Sequence, residues 1–424
     1  MSTKGITTVI AVILMIVMLL VGLGIGYVLA PSMGIAPGAG LSGEVEIGCL
    51  MSLTGDLASF GENEMAAAEF AASEVNALLE DLDAGWTLKL VAEDTQTDPD
   101  IALEKLQSLA ARGIKLIIGP LSSGEVRAIK GYADQNKILV TSQSSTAPDL
   151  AIADDYIFRF CPTDKLGQGP AVARLIYEDD YTHVIPVTRN DAWGIGLKDA
   201  SKERFEDLGG TFLTGIDYDP EATEFTSEAS ILADLVQDAI SAHGAENVAI
   251  LHISFEEAVP FMTAGLDHSV LSQIKWYGSD GTAASGGVLE DTDVRDFILD
   301  VEYPCTIFSP APVGDKFEAV RANGLNVLGR EPESYSYAIY DIVWVYALSL
   351  LAVNEYNAEA IKAVLPTITE VIFGASGVIR LDDAGDRTAG DYNIWMIQEV
   401  SVGNYEWEVV GRYVFSTDII EWSE

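Results

Sequence analysis

The stretch IIGPLSSGE at residues 117–125 carries the clearest fold signal in this sequence. Its two isoleucines are typical of the end of a buried strand, and Gly119-Pro120 predicts a turn. Ser122 and Ser123 follow, and a helix is predicted to begin at Gly124. The free N–H groups at the start of a helix favour anions such as carboxylates. The stretch therefore predicts a strand, a ligand-binding loop and a helix, although Ser123 also fits an ordinary helix cap.

The same alternation of strand and helix continues on both sides of this stretch. Apolar runs of strand length alternate with stretches whose apolar residues recur at helical spacing. The predicted strands are 45–53, 87–91, 115–118, 138–141, 182–187, 211–216, 248–253 and 275–277. The predicted helices are 65–82, 99–112, 124–135, 166–177, 193–208, 227–242 and 256–271. Repeated β-α units with apolar strands form parallel sheets that helices cover on both faces. The sequence therefore predicts an α/β protein with two doubly wound parallel-sheet lobes.

Polar turn-forming residues follow three strands of the first predicted lobe. They are the serines of residues 117–125, the run SLTG at 52–55 and the run SQSSTAP at 142–148. In open α/β sheets, ligands lie beyond the carboxyl ends of the strands. We therefore expect these three loops to form one wall of a binding site.

The second predicted lobe has a different chemistry at its strand ends. Asp191 and Trp193 follow one strand, Ser254-Phe255 follows another, and Asp280 lies between glycines after a third. Asp280 alone also fits a simple turn aspartate. Hydroxyl and N–H groups on one lobe, facing an acid and aromatic rings on the other, suit a zwitterion. The first lobe would hold its carboxylate and the second its ammonium group.

The N-terminus has the pattern of a membrane segment. An uncharged, largely apolar run extends from Gly5 to Ala30 behind Lys4, which is long enough to cross a bilayer. We expect residues 1–30 to form an N-terminal transmembrane helix, with a cleaved signal segment as the alternative. Residues 31–43 are rich in Gly and Pro and are predicted to be a flexible linker. The rest of the chain would then lie outside the cell, anchored to the cytoplasmic membrane.

Charge and motif content exclude several function classes. The chain has 65 acidic and 24 basic residues, for a net charge of −41, so nucleic acid is not an expected partner. Its three cysteines and four histidines lack metal-site spacing, and we expect no metal or other cofactor. No nucleophile elbow or phosphate loop is present, so an enzyme is not expected.

Nine short stretches, in order, resemble the leucine/isoleucine/valine-binding proteins of branched-chain amino-acid ABC transporters. The resemblance covers most of the chain from Val45 to about Tyr413. The matching residues lie within 47–61, 93–95, 118–123, 144–148, 158–159, 193–194, 278–281, 337–341 and 374–387. The resemblance implies the type I periplasmic-binding-protein fold, with two lobes joined by three crossings. The first lobe would comprise residues 44–160 plus 306–372, and the second 161–305 plus 373–424.

The resemblance also implies roles for individual residues. Ser123, Ser144 and Thr146 match residues that hold the carboxylate and amine of the ligand. Asp280 matches the acid that binds the ammonium group, and Trp193 matches an aromatic residue that closes over the ligand. Further pocket candidates are Ser254, which follows a strand of the second lobe, and Tyr335, for which a packed core tyrosine is the alternative.

This sequence departs from the family pattern at positions that shape the pocket. The family usually has glutamate at Asp280, tyrosine at Trp193 and often tyrosine near Ser254. The expected ligand is therefore amino-acid-like, and leucine itself is not specified. The expected partners are this ligand and the permease subunits of an ABC transporter. A urea or short-amide binding protein and a ligand-sensing ectodomain that acts through a partner are the alternatives. Cys161 and Cys305 follow lobe crossings, where a disulfide and two free thiols are both compatible with the sequence.

Overall fold

The computed structural model describes residues 40–388 and 390–423. The predicted transmembrane helix at 1–30 and most of the predicted linker at 31–43 lie outside these residues. Within the described part of the chain, one helix, Ser334–Val353, is long and apolar enough to cross a membrane. It is largely buried in the protein, as expected for a core helix.

The first sheet has five parallel strands in the order β2-β1-β3-β4-β5. Its strands are β1 (Gly43–Met51), β2 (Trp86–Asp94), β3 (Leu116–Ile118), β4 (Leu139–Ser142) and β5 (Ile157–Arg159). The helices between them are α1 (Ala58–Asp81), α2 (Pro99–Ala111) and α3 (Ser123–Asn136). Residues 116–118 are fully buried, as their apolar sequence predicts for a central parallel strand. This sheet confirms the predicted alternation.

The second sheet is also parallel and is built around β6 and β9. Its strands are β6 (His183–Arg189), β7 (Thr211–Phe212), β8 (Ile216–Tyr218), β9 (Val248–Ile253) and β10 (Trp276–Tyr277). Its helices are α4 (Gln168–Glu178), α5 (Ala192–Asp207), α6 (Thr226–His243) and α7 (Ala258–Gly265). Both β7 and β8 pair with β6, on the side away from β9. One predicted strand at 211–216 is therefore two short ones.

A third sheet was not predicted. It is antiparallel, in the order β11-β14-β15-β16. Its strands are β11 (Cys305–Phe308), β14 (Tyr392–Ser401), β15 (Asn404–Val414) and β16 (Ile419–Trp422), and a small hairpin β12 (Phe373–Gly374) and β13 (Gly377–Val378) precedes β14. Much of β15 is exposed, so its sequence lacks the continuous apolar run on which the other strand predictions relied.

The remaining helices are α8 (Gly286–Glu290), α9 (Thr292–Val301), α10 (Asp315–Val327), α11 (Ser334–Val353) and α12 (Ala358–Val371). Helix α11 returns to the first sheet, where the Tyr346 hydroxyl lies 2.8 Å from Thr141 Oγ1 and donates to the Ile117 carbonyl at 3.0 Å. The C-terminal strands contact the second lobe, where Arg204 pairs with Asp418 at 2.5 Å. The division of 306–372 and 373–424 between the two lobes stays a prediction, and β11, at the start of the first of these ranges, pairs with β14 of the second.

Two element boundaries were wrong in a way that affects the site. Helix α1 begins at Ala58 and not at residue 65, so its first turn lies beside the ends of the strands. The predicted helix at 256–271 ends at Gly265 and is followed by a short 3₁₀ turn. All three cysteines are buried free thiols, so Cys161 and Cys305 are not joined by a disulfide.

Candidate functional site

A small cleft lies between the two lobes, at the carboxyl ends of their strands. Five of the predicted ligand residues line it: Ser123, Ser144, Trp193, Asp280 and Tyr335. The other lining residues are Leu57, Phe60, Leu121, Ser122, Phe255 and Gly281. The loops of both sheets therefore meet as the strand-end rule predicts.

Ser123 offers a hydroxyl proton to the cleft. The N-cap of α3 is Ser122, which forms a capping box with Glu125, so Ser123 is not the cap. Its Oγ accepts hydrogen bonds from Ser145 Oγ at 3.0 Å and from the Ala147 N–H at 3.1 Å. With both lone pairs engaged, Ser123 can act towards a ligand only as a donor. A donor at a helix start suits a carboxylate.

Ser144 has the complementary role. Its hydroxyl donates to the Leu121 carbonyl at 3.0 Å, which leaves its oxygen lone pairs as acceptors. An acceptor in this position can accept a hydrogen bond from an ammonium group. The two serines therefore differ in chemistry although the sequence presents them alike.

Asp280 is a buried carboxylate, 4% exposed, on the second-lobe side of the cleft. Oδ2 accepts from the Tyr335 hydroxyl at 2.7 Å, and Oδ1 accepts from the Gly281 N–H at 3.1 Å. Burial raises the pKa of Asp280 to about 6, and the hydrogen bond from Tyr335 opposes this shift. Gln168 also bonds to this carboxylate. Because its two oxygens offer about four acceptor sites, the carboxylate can still bind a cation.

Aromatic rings form the wall next to Asp280. Trp193 and Phe255 stack with their centroids 4.5 Å apart and an interplanar angle of 20°. A Cβ atom on Gly281 would lie 2.5 Å from Phe255 and 3.0 Å from Trp193, so only glycine fits beside the stacked rings. This wall, together with Leu57, makes the middle of the cleft apolar.

Two predicted ligand residues do not line the cleft. Thr146 is fully buried behind it and donates to Asp164 Oδ2 at 3.0 Å. Ser254 is also buried, and its hydroxyl donates to the Phe255 carbonyl at 3.1 Å. Ser254 thus bonds to the lining residue Phe255, whereas Thr146 bonds to Asp164, which does not line the cleft. Their direct contact with a ligand stays a prediction.

Several cleft residues were absent from the predicted site. Leu57 and Phe60 were missed because α1 was predicted to start too late. Leu121 was part of the quoted stretch, but nothing in the sequence distinguishes a pocket leucine from a core leucine. Among the lining residues the only charged side chain is Asp280, so the cleft contains no cation to pair with it.

The sequence of this chain matches the receptor family ligand binding region over residues 63–399. An uncharacterized protein of Methanocaldococcus jannaschii is 32% identical over 396 residues, which cover 89% of this chain and 91% of that protein. The Leu/Ile/Val-binding protein homolog 1 of Brucella abortus is 26% identical over 387 residues, 88% of this chain and 95% of that protein.

The fold comparison agrees. The leucine-binding protein LivK of Thermotoga maritima superposes with a TM-score of 0.70 at 20% identity, covering 86% of this chain and 98% of that one. At this identity the likeness shows the type I periplasmic-binding-protein fold, and the family match extends over most of the chain. The chain therefore belongs to the receptor family ligand binding region, among the type I periplasmic binding proteins that include the Leu/Ile/Val-binding proteins.

Proposed function

We propose that this protein is an extracytoplasmic solute-binding protein that captures a small amino acid with an apolar side chain and passes it unchanged to an ABC transporter permease. The observation that carries the proposal is the polarity of the cleft. The free Ser123 proton lies on the first-lobe wall and the buried Asp280 carboxylate on the second-lobe wall. An ammonium group leaving water needs a paired charge, which Asp280 supplies.

The apolar part of the cleft supports an apolar ligand side chain. Its lining consists of Leu57, Phe60, Leu121, Trp193 and Phe255. Large basic or acidic ligand side chains would lose water there without a partner.

The cleft also supports binding without chemistry. Ser123 is the nucleophile candidate, and no histidine or lysine is among the described residues that line the cleft to take its proton. Asp280, the acid in the cleft, bonds to Tyr335 and Gly281, whereas the Ser123 hydroxyl bonds to Ser145 and the Ala147 N–H. We therefore propose that the ligand leaves the protein chemically unchanged. Mass spectrometry of a ligand before and after prolonged incubation with the protein checks this.

The direct test of the proposed ligand class uses a soluble protein that begins near Leu41. Denaturing it and analysing the released small molecules by mass spectrometry identifies what co-purifies. Calorimetry then compares leucine, isoleucine, valine and phenylalanine with urea and acetamide. Binding of the amides with no binding of any amino acid would replace this proposal with the amide-binding alternative.

Membrane attachment and permease delivery are separate parts of the proposal. The apolar run within residues 1–30 supports an anchor, and it predicts that the full chain sediments with membranes whereas the protein starting near Leu41 does not. Delivery is tested by ligand uptake into vesicles that contain the permease. Specific ligand binding without stimulated uptake would favour the sensing alternative.

Replacing Ser123 by alanine should weaken amino-acid binding by about 10- to 100-fold, because one hydrogen bond to a charged carboxylate is lost. Calorimetry with the best-binding amino acid measures the change. Ser201→Ala, which removes another buried hydroxyl from α5, is the matched control and should bind normally. If the amino-acid amide, which lacks the carboxylate charge, loses as much affinity as the acid, Ser123 does not bind a carboxylate.

Amino-acid binding should weaken as the pH falls below about 6, because only ionised Asp280 pairs with an ammonium group. Burial also raises the pKa of Asp164 well above its ordinary value, and nearby Asp280 adds to the shift, so the two acids titrate as a pair. We expect roughly tenfold weaker binding at pH 5 than at pH 7.5 by this linkage.

Lowering the pH should weaken amino-acid binding, but it should increase the contribution of Asp280 to the stability of the ligand-free protein. The pKa of folded Asp280 lies above that of an unfolded aspartate, so its folded form takes up a proton more readily. This group therefore stabilises the ligand-free fold as the pH falls from about 6 towards 4.

For the binding prediction, an affinity that is constant from pH 7.5 to 5 would contradict an ionised Asp280 as the ammonium partner.

A further inference from the structure

Polar contacts hold the two lobes together beside the cleft, at residues that do not face the ligand space. Arg189 at the end of β6 reaches across to Asp56 in the loop before α1, with Nη1 3.0 Å from Oδ2. The Glu256 N–H donates to the Asp56 carbonyl at 3.1 Å. The Ser59 hydroxyl donates to Glu256 Oε1 at 2.6 Å. We call these four residues, Asp56, Ser59, Arg189 and Glu256, the latch.

The first-lobe side of the latch is fixed in place by its own lobe. Asp94 at the end of β2 accepts from the Leu53 N–H and from the Thr54 hydroxyl, at 3.0 and 2.7 Å. The Leu57 N–H donates to Thr97 Oγ1 at 3.1 Å. A loop held in this way loses little conformational freedom when it meets the other lobe.

Arg189 also has partners within its own lobe that do not depend on contact with the first lobe. Its Nε donates to Asp191 at 2.7 Å, and Nη1 lies 2.9 Å from Glu257 Oε1. Opening therefore removes only the Asp56 partner and leaves no buried charge unpaired. Asp56 is partly exposed and regains water. The contact can then form and break repeatedly at low cost, as a closing and opening device requires.

The latch also touches the aromatic wall of the cleft. The Arg189 guanidinium lies 4.5 Å from the Phe255 ring centroid, and Phe255 stacks on Trp193. Leu57 and Phe60 alternate with Asp56 and Ser59 along the chain, and both line the cleft. The segment that forms the latch thus also carries the apolar surface that contacts the ligand space.

We propose that Asp56 and Arg189 are positioning residues that set the balance between the open and closed forms, so that the latch adds to affinity for every ligand by the same factor. This inference rests on the proposed function for its effect on affinity, but its effect on closure is independent of the ligand. Contacts present in only one of two conformations shift the population towards that conformation.

The test compares Asp56→Asn, Ser59→Ala and the parent. Fluorescent labels at Cys introduced for the exposed Leu82 and Ile231, one on each lobe, report lobe distance in single molecules, and the native cysteines are buried. We expect the closed-to-open ratio of the ligand-free protein to fall about 10-fold in Asp56→Asn, because one hydrogen bond to a charged group is lost. The ratio should fall by a smaller factor in Ser59→Ala. The dissociation rate of each bound amino acid should rise by the same factor, with unchanged preference among amino acids.

Asp217→Asn is the matched control. Asp217 has a similar exposure and pairs with Lys198 at 2.7 Å, but both residues lie in the second lobe. It should leave the ratio and the rates unchanged. The proposal for the latch is wrong if the parent, Asp56→Asn and Ser59→Ala have equal closed-to-open ratios. It is also wrong if none of the three populates a closed form. If the variants shift the closed-to-open ratio but the protein binds no amino acid, the proposal for the latch stands and the proposed function is rejected.

Discussion

Replacing Asp280 by asparagine should reduce the affinity for an amino acid by about 30-fold or more, equivalent to 2–5 kcal/mol. Asparagine keeps the size of the side chain and can still accept from Tyr335, which now bonds Oδ2 at 2.7 Å. It removes the only charged side chain among the described residues that line the cleft, so the ammonium group of the ligand would be desolvated without a partner. Calorimetry at pH 7.5 measures the loss.

The ligand itself provides the control for this variant. The analogue of the amino acid that lacks the ammonium group should bind the parent weakly and lose almost nothing further in Asp280→Asn. Urea or acetamide, which are neutral, should respond in the same way. If Asp280→Asn binds the natural ligand as tightly as the parent does, a zwitterion is the wrong ligand class.

Replacing Arg159 by methionine should lower the free energy of unfolding by about 3–5 kcal/mol. Arg159 is fully buried at the end of β5, next to the first lobe crossing, and its Nε and Nη2 donate to the two oxygens of Asp386 at 2.6 and 2.5 Å. Burial raises the pKa of Asp386, and Arg159 opposes that shift. Without Arg159, Asp386 is left as an unpaired buried acid. Urea unfolding followed by circular dichroism measures the change.

The same arginine also fixes a binding loop. Its Nη1 donates to the carbonyls of Ser145 and Ala147, at 3.2 and 2.7 Å, in the loop that positions Ser123. Arg127→Met is the matched control, because Arg127 pairs with Asp149 at the exposed surface, where ion pairs contribute about 1 kcal/mol or less. The double variant Arg159→Met/Asp386→Leu should recover part of the lost stability. A single variant as stable as the parent would contradict this role of the pair.

Much of the fold was predictable because the signals are local. The apolar run at 116–118 and the helix that follows it are recognisable from composition and spacing alone. Helix α2 begins as its sequence predicts, with Asp98 accepting from the Asp100 and Ile101 N–H groups and a proline in the first turn. The antiparallel sheet was missed because much of β15 is exposed and because β14 pairs with β11, far away in sequence.

The residues of the candidate site were also predictable only in part. The strand-end rule and the family resemblance selected Ser123, Ser144 and Asp280, which the structure places in one cleft. Thr146 and Ser254 satisfy the same rule but do not line the cleft, because their hydroxyl groups bond to buried partners, Asp164 and the Phe255 carbonyl.

The sequence by itself therefore determined the α/β class, the parallel direction of the strands in the two main sheets and the strand ends where binding residues lie. These follow from the spacing of apolar residues and from turn chemistry, which act over a few positions. Only the tertiary structure decided which hydroxyl of the serine loops still has a proton to donate. It also brought Tyr335 to Asp280 from 55 positions away and Arg189 to Asp56 from 133 positions away. Such pairs depend on how the two lobes meet, and no local sequence pattern predicts that geometry.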